Sequence, residues 1–304
     1  MLTPSLKNST LRLWVVLILV FISLIIFWGC TSSGGGSSET WVTEGIFMSP
    51  DESLNQDGVG DISIATVEGG SLRLYVSIAY SASGPAYGSA LFSHISSNET
   101  TWATEEGIRL TGISVSRPLR LPAGGWRLYY NQSANAGIIS AYSADGLSWE
   151  AESGTRIATG GAYDAAVVDM GTTLIFPDGT YRLYYGGSSE SGATINYVIL
   201  SATSADGLTF TKESGVRLAS STGRATHPHV FYFGGQYIMY YSTHQYVYKA
   251  TSSDGLTWAE SGSTGIYGAD PFILQLSSGN WRMFYNDYDA GTDRATAYTA
   301  IWRR

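Results

Sequence analysis

The segment Arg73-Leu74-Tyr75-Val76 returns four times in altered form. It reappears as Arg127-Leu128-Tyr129-Tyr130, Arg182-Leu183-Tyr184-Tyr185, Ile238-Met239-Tyr240-Tyr241 and Arg282-Met283-Phe284-Tyr285. The spacings are 54, 55, 56 and 44 residues. Such a chain builds one supersecondary unit repeatedly and stacks the copies, each covering its neighbour's apolar face. An apolar run precedes every copy, at 62–67, 118–121, 173–176, 229–233 and 271–276. A short turn such as Pro177-Asp178-Gly179 joins the two, which marks an antiparallel hairpin. A third strand is expected at 90–95, 138–143, 197–203, 247–252 and 296–301. Three of these run into Asp145-Gly146, Asp206-Gly207 and Asp254-Gly255, where glycine accepts the positive φ of a tight turn. A fourth strand carries an aromatic, a Glu and a Gly, as in Trp149, Glu152 and Gly154.

The last unit has no fourth strand before the chain stops at Arg304. Trp41, Glu44 and Gly45 near the other terminus have the missing pattern. The expected fold is all-β: a five-bladed β-propeller over 39–304, closed by the N-terminal strand pairing with the C-terminal blade.

The abundance of Tyr (21), Trp (9) and Gly (36), with only 14% charged residues, suits a sheet-rich protein with tight turns. A formal charge of −8 argues against a nucleic-acid partner, which needs a basic stripe. The sole cysteine is Cys30, so no internal disulfide forms. Lys7 and Arg12 precede an apolar run at 13–28, and Gly29-Cys30 follow. This reads as an export signal with Cys30 as a lipidation site; an uncleaved membrane anchor is the alternative. Residues 31–38, TSSGGGSS, form a flexible tether. The expected location is the extracytoplasmic cell envelope, with a monomeric domain held at the membrane.

The turns between first and second strands are short and repetitive. The connections at 81–89, 132–137, 188–194 and 287–294, from second to third strands, are longer and polar, so binding groups are expected on that face. At the openings of the inner strands stand Asp61, Arg117, Asp164, His227 and Asp270. Loops on the same face add Arg224, Glu190, His244, Asn286 and Asp287. Five ionisable groups at comparable positions, in a chain poor in charge, point to a ligand site.

The Ser-x-Asp-Gly-Leu-x-Trp pattern, following Tyr-Arg-Leu-Tyr-Tyr, resembles the five-bladed propeller superfamily of arabinanases, β-xylosidases, invertases, levansucrases and β-mannoside phosphorylases. The resemblance spans about 39–304 and implies a carbohydrate ligand. In the hydrolases of that superfamily a first-blade carboxylate is base or nucleophile, a second-blade Asp stabilises, and a third-blade Glu is the acid. By that likeness Asp61 is the base, and Arg117 departs from the second position. Asp164, or Asp169 instead, is the shorter counterpart of the third. Arg117, Arg224, His227, His244, Asp270, Asn286 and Asp287 then hold substrate, where positive charge suits a phosphate or sugar carboxylate. No cofactor or metal is expected: His227-x-His229 is interrupted by Pro228 and lacks further ligands. Two functions follow. One is a divergent glycoside hydrolase using paired Asp carboxyls. The other is a non-catalytic propeller that binds a glycan or a protein.

Overall fold

The structure, a computed structural model, describes residues 40–80, 88–132, 137–191, 196–289 and 294–303. Cys30, the apolar run before it and the tether lie outside the described residues. Strand β1 (Val42–Met48) is followed by antiparallel meanders. The first is β2 (Gln56–Thr66), β3 (Leu72–Tyr80), β4 (Gly88–Ser96) and β5 (Ala103–Thr111). The second is β6 (Ile113–Arg120), β7 (Trp126–Gln132), β8 (Gly137–Ser143) and β9 (Glu150–Ala158). The third is β10 (Val167–Ile175), β11 (Tyr181–Ser188), β12 (Val198–Ser204) and the two-residue β13 (Thr211–Lys212). The fourth is β14 (Thr226–Phe233), β15 (Gln236–Ser242), β16 (Tyr246–Ser252) and β17 (Ala259–Tyr267). The chain ends with β18 (Ala269–Gln275), β19 (Trp281–Asp289) and β20 (Arg294–Trp302). A single parallel pair, Gly58 with Ala295, joins β20 to β2, so the first and last groups merge into one eight-stranded sheet.

The inner strands touch in the cyclic order β2, β6, β10, β14, β18 and back to β2. This is propeller architecture. Its faces are held together by the repeated residues. Arg73, Arg127 and Arg182 on the second strands each meet a glutamate in or just after the fourth strand of the same group: Glu105 at 2.8 Å, Glu152 at 2.8 Å and Glu213 at 3.0 Å. Arg282 meets Glu44 of β1 at 2.8 Å in the same way. Strand β1 also pairs antiparallel with β20, from Val42 opposite Ile301 to Met48 opposite Ala297. Strand β1 thus lies along the edge of β20 in the last group.

The same arginines and the neighbouring tyrosines reach across to the next sheet. Arg127 Nη1 donates to the Asp206 carbonyl at 3.1 Å, and Tyr129 Oη donates to the Gly207 carbonyl at 2.8 Å. Arg73 and Tyr75 do likewise to Asp145 and Gly146, and Tyr184 to Gly255. An aromatic just before β9, β13, β17 and β1 stands edge-on to the preceding sheet's tyrosine. The pairs are Trp149 on Tyr75, Phe210 on Tyr129, Trp258 on Tyr184 and Trp41 on Tyr240, with centroids 5.8–5.9 Å apart. Each turn is built by its own aspartate. Asp206 Oδ1 accepts the N–H groups of Leu208 and Thr209, both at 2.8 Å, and these bonds pull its pKa down to about 2.

Gly207 has φ +70°, and a Cβ there would lie 2.6 Å from Arg127 Nη1 and 2.8 Å from Tyr129 Oη. Gly207→Ala combines left-handed strain with a displaced buried hydroxyl and is expected to cost about 2–4 kcal/mol. Urea unfolding measures this; a loss below about 0.5 kcal/mol, the scale of an inert surface change, would show that the latch is not needed.

Candidate active site

Each inner strand opens with a break in register against its partner. In β2, Gly60 faces Ser77 and Ser63 faces Tyr75, so Asp61 and Ile62 oppose one residue. The same break lies between Thr226 and His229 in β14 and between Ala269 and Phe272 in β18. A bulge re-aims a side chain, and here the backbone shows it. Asp61, His227 and Asp270 all have positive φ, at 38°, 48° and 55°. Left-handed backbone in a non-glycine residue costs on the order of 1–3 kcal/mol and persists where surrounding structure enforces it. Two of the three precede proline, which narrows the backbone further.

The enforcing contacts come from the second strand of the neighbouring group of strands. Asn286 Oδ1 accepts the Asp61 N–H at 3.1 Å, and its Nδ2 donates to the Val59 carbonyl at 2.6 Å. Ser242 Oγ accepts the Asp270 N–H at 2.8 Å. At the third sheet Asn131 Oδ1 accepts the Met170 N–H at 2.5 Å.

These bulges assemble a buried ionic cluster. His227 Nε2 is 2.7 Å from Asp169 Oδ2, and its Nδ1 meets Asp270 Oδ1 in an ion contact without hydrogen-bond alignment. Thr226 Oγ1 donates to the same Asp169 oxygen at 3.1 Å. Burial works against an imidazolium, but Asp169 and Asp270 outweigh it and hold the His227 pKa well above the usual 6.5. For Asp270 burial opposes ionisation, and His227 with Arg117 and Arg224 overcomes it, so its carboxyl stays below the usual range. Asp61 goes the other way: burial first, then the Asp270 charge, pushes its pKa up to about 7, against the pull of His227 and Arg117. The cluster thus holds an ionised Asp270, a charged imidazole and, in Asp61, a carboxyl that exchanges its proton near neutrality.

Solved structures of several glycoside hydrolases share this fold. One described as a glycoside hydrolase superposes with a TM-score of 0.71 at 13% identity, covering 88% of this chain and 93% of its own. A thermostable family-43 glycoside hydrolase superposes with a TM-score of 0.64 at 18% identity, covering 80% and 88%. A GH43_1 enzyme from Xanthomonas citri gives 0.63 at 16% identity, covering 84% and 90%. At these identities the likeness is one of fold. No family model matches the sequence, and no curated protein matches it significantly.

The propeller register relocates two of the sequence candidates. The repeated second-strand aromatics Tyr75, Tyr129, Tyr184, Tyr240 and Phe284 face Ser63, Arg117, Thr172, His229 and Phe272. Arg117 therefore lies two residues further along its strand than Asp61 does, and Val115 holds the position equivalent to Asp61. The sequence hides this because the second-sheet bulge, between Ile113 and Ser116, precedes Arg117. Asp164 does not join the cluster through any of its contacts. It is buried in the connection before β10, where Lys212 Nζ lies 2.6 Å from Oδ2, Tyr185 Oη donates at 2.9 Å and the Gly161 N–H at 2.7 Å. Its oxygens are occupied in anchoring that connection, and Asp169 is the acid of the third blade that reaches His227.

Of the other candidates, Arg224 is half-buried with its guanidinium 4.8 Å from the Tyr197 ring centroid, and its charge acts on Asp270. Asn286 is buried and positions Asp61 as described. Asp287 is half-buried on β19 next to it. His244 and Glu190 are exposed in connections. Tyr197 was not among the candidates. It is buried, and its hydroxyl pKa is raised by burial and then by Asp169. Nothing in the sequence distinguishes it from the many blade tyrosines.

Proposed function

We propose that the chain is an exported, surface-tethered, monomeric carbohydrate-active protein. It is a five-bladed propeller closed by β1, and it hydrolyses glycosidic bonds at Asp61 and Asp169. The observation that carries this reading is Asp61, a buried carboxyl on strained backbone with its pKa near 7, in the same cluster as Asp169, His227 and Asp270. A general base works best when its pKa lies near the working pH. Water adds to the anomeric carbon and gives its proton to Asp61. The glycosidic C–O bond breaks, and the leaving oxygen takes a proton from the Asp169–His227 pair, which holds one between Oδ2 and Nε2. Arg224 and Asp287 hold the sugar at the rim, with His244 reaching from its exposed connection. The fold likeness to glycoside hydrolases supports a carbohydrate as the ligand. The charged, apolar and Gly29-Cys30 segments support export and lipidation at Cys30, or anchoring by the same run.

The test is hydrolysis of a panel of oligosaccharides and aryl glycosides by wild type, Asp61→Asn and Asp169→Asn. Loss of either carboxyl is expected to lower kcat about 10²–10⁴-fold on oligosaccharides. Asp169→Asn should lose far less on a nitrophenyl glycoside, whose leaving group needs no proton. Equal background turnover by all three proteins would contradict hydrolysis. A second reading, a glycan-binding propeller without turnover, is favoured by Val115 at the second-blade position and by the engagement of Asp169 with His227.

A further inference from the structure

Arg117 is a buried cation, 4% exposed, whose hydrogen-bonding capacity is incompletely used. Its Nη1 donates to the Ser116 and Ile62 carbonyls at 3.2 and 3.4 Å, and Nε and Nη2 have no partner. Buried charges in proteins are paired and their hydrogen-bonding capacity is used. The guanidinium lines a cavity of about 250 Å³ on the propeller axis, to which all the inner strands contribute. No carboxylate lines this cavity. Thr173, whose Oγ1 is buried without a partner, and His229 line it too. His229 accepts the Ile273 N–H on Nδ1 at 2.9 Å, so the ring proton resides on Nε2. Burial and then Arg117 push the His229 pKa down to about 3, which keeps the ring neutral. The remaining wall is apolar, with Ile64, Leu119 and Phe272. Phe272 stacks on His229 at 4.3 Å and lies 5.9 Å from the Arg117 guanidinium.

We propose that this cavity binds a small monovalent anion of the halide class, held by Arg117 Nε and Nη2 with Thr173 Oγ1. Hydrogen-bond donors around a single cation select an anion over a metal ion. One guanidinium balances one negative charge, and the carboxylates of Asp61, Asp169 and Asp270 that act on Arg117 disfavour a divalent ion such as sulfate. Apolar walls favour a weakly hydrated ion, so bromide should bind at least as well as chloride. The ion lies on the same axis as Asp61 and takes up the two unused donors of Arg117, Nε and Nη2. Halide binding is independent of whether the axial carboxyls cleave a sugar, so a failure of one leaves the other standing.

The test is thermal unfolding of wild type and Arg117→Met in sodium bromide, with ionic strength held constant by sodium sulfate. Wild type should show a saturable rise in Tm, about 5 °C at bromide one hundred times its Kd. Arg117→Met, which replaces an under-partnered charge by an apolar chain, should show no rise. Anomalous diffraction from wild-type crystals in bromide gives a second readout that does not depend on the variant folding. A peak within hydrogen-bonding reach of the Arg117 guanidinium is expected. No Tm rise in wild type, an equal rise in Arg117→Met, or no bromide peak beside Arg117 would overturn the proposal.

Discussion

Deletion of residues 40–48 abolishes the cooperative unfolding transition of the whole domain. The segment is short, but it contributes to several contacts at once. Trp41 is buried against Tyr240, and Phe47 stands edge-on to Phe284 at 5.1 Å and to Trp102 at 6.3 Å. Removing a buried Trp or Phe side chain costs about 3–5 kcal/mol each. Glu44 is the carboxylate partner of Arg282, and β1 covers the edge of β20 along five residue pairs. Without it β20 presents unpaired backbone, a template for association with other chains. The combined loss reaches the whole stability of an ordinary domain, about 5–15 kcal/mol. Near-ultraviolet circular dichroism during a thermal melt is the check. A truncated protein with the wild-type Tm would show that β1 is dispensable and that the ring is not closed by it.

His227→Leu is expected to cost about 3–5 kcal/mol near pH 7.5, because it leaves Asp169 and Asp270 buried without their counter-charge. The pH dependence identifies the cause. The His227 pKa is raised in the folded state, so its contribution is complete below about pH 6.5 and is lost as pH rises through the folded value. The Asp270 pKa is lowered, so its contribution is present above about pH 3.8 and is lost as pH falls through the folded value. The wild-type advantage over His227→Leu should therefore be large from about pH 4 to beyond pH 6.5 and shrink below pH 4, where the acids of the variant are protonated. Urea unfolding at pH 7.5 and pH 3.5 measures both limits. An equal difference at the two pH values would assign the loss to packing alone.

The blades were legible in the sequence because their construction is local and repeated. Arg127, Tyr129, Asp206-Gly207 and Glu152 recur at fixed offsets, and their contacts follow those offsets from sheet to sheet. The pattern Trp41–Glu44–Gly45 was readable as the missing fourth strand for the same reason. The site was less legible, because it depends on backbone register. Inner strands begin several residues before the apolar runs that announce them: β2 starts at Gln56, although its apolar run begins at Ile62. The bulges inside these openings decide which side chain reaches the axis, and no residue type announces a bulge reliably. Asp61, His227 and Asp270, read from the sequence as strand openings, lie in those bulges. Asp164 drew attention as an acid ahead of its strand, while Asp169, inside β10, is the one that meets His227. Arg117 was visible as an exception but was aligned with the wrong level of the axis.

The proposed chemistry requires Asp61 to be a buried carboxyl that exchanges its proton near neutrality under the influence of Asp270. Carbon-13 NMR of the aspartate carboxyls, assigned by the loss of one signal in Asp61→Asn, titrates this group directly in the intact protein. A midpoint near 7 is expected in wild type, and a lower one in Asp270→Asn, where the repelling charge is gone. A wild-type midpoint close to 3.8, the ordinary aspartate value, and unmoved by Asp270→Asn would contradict it.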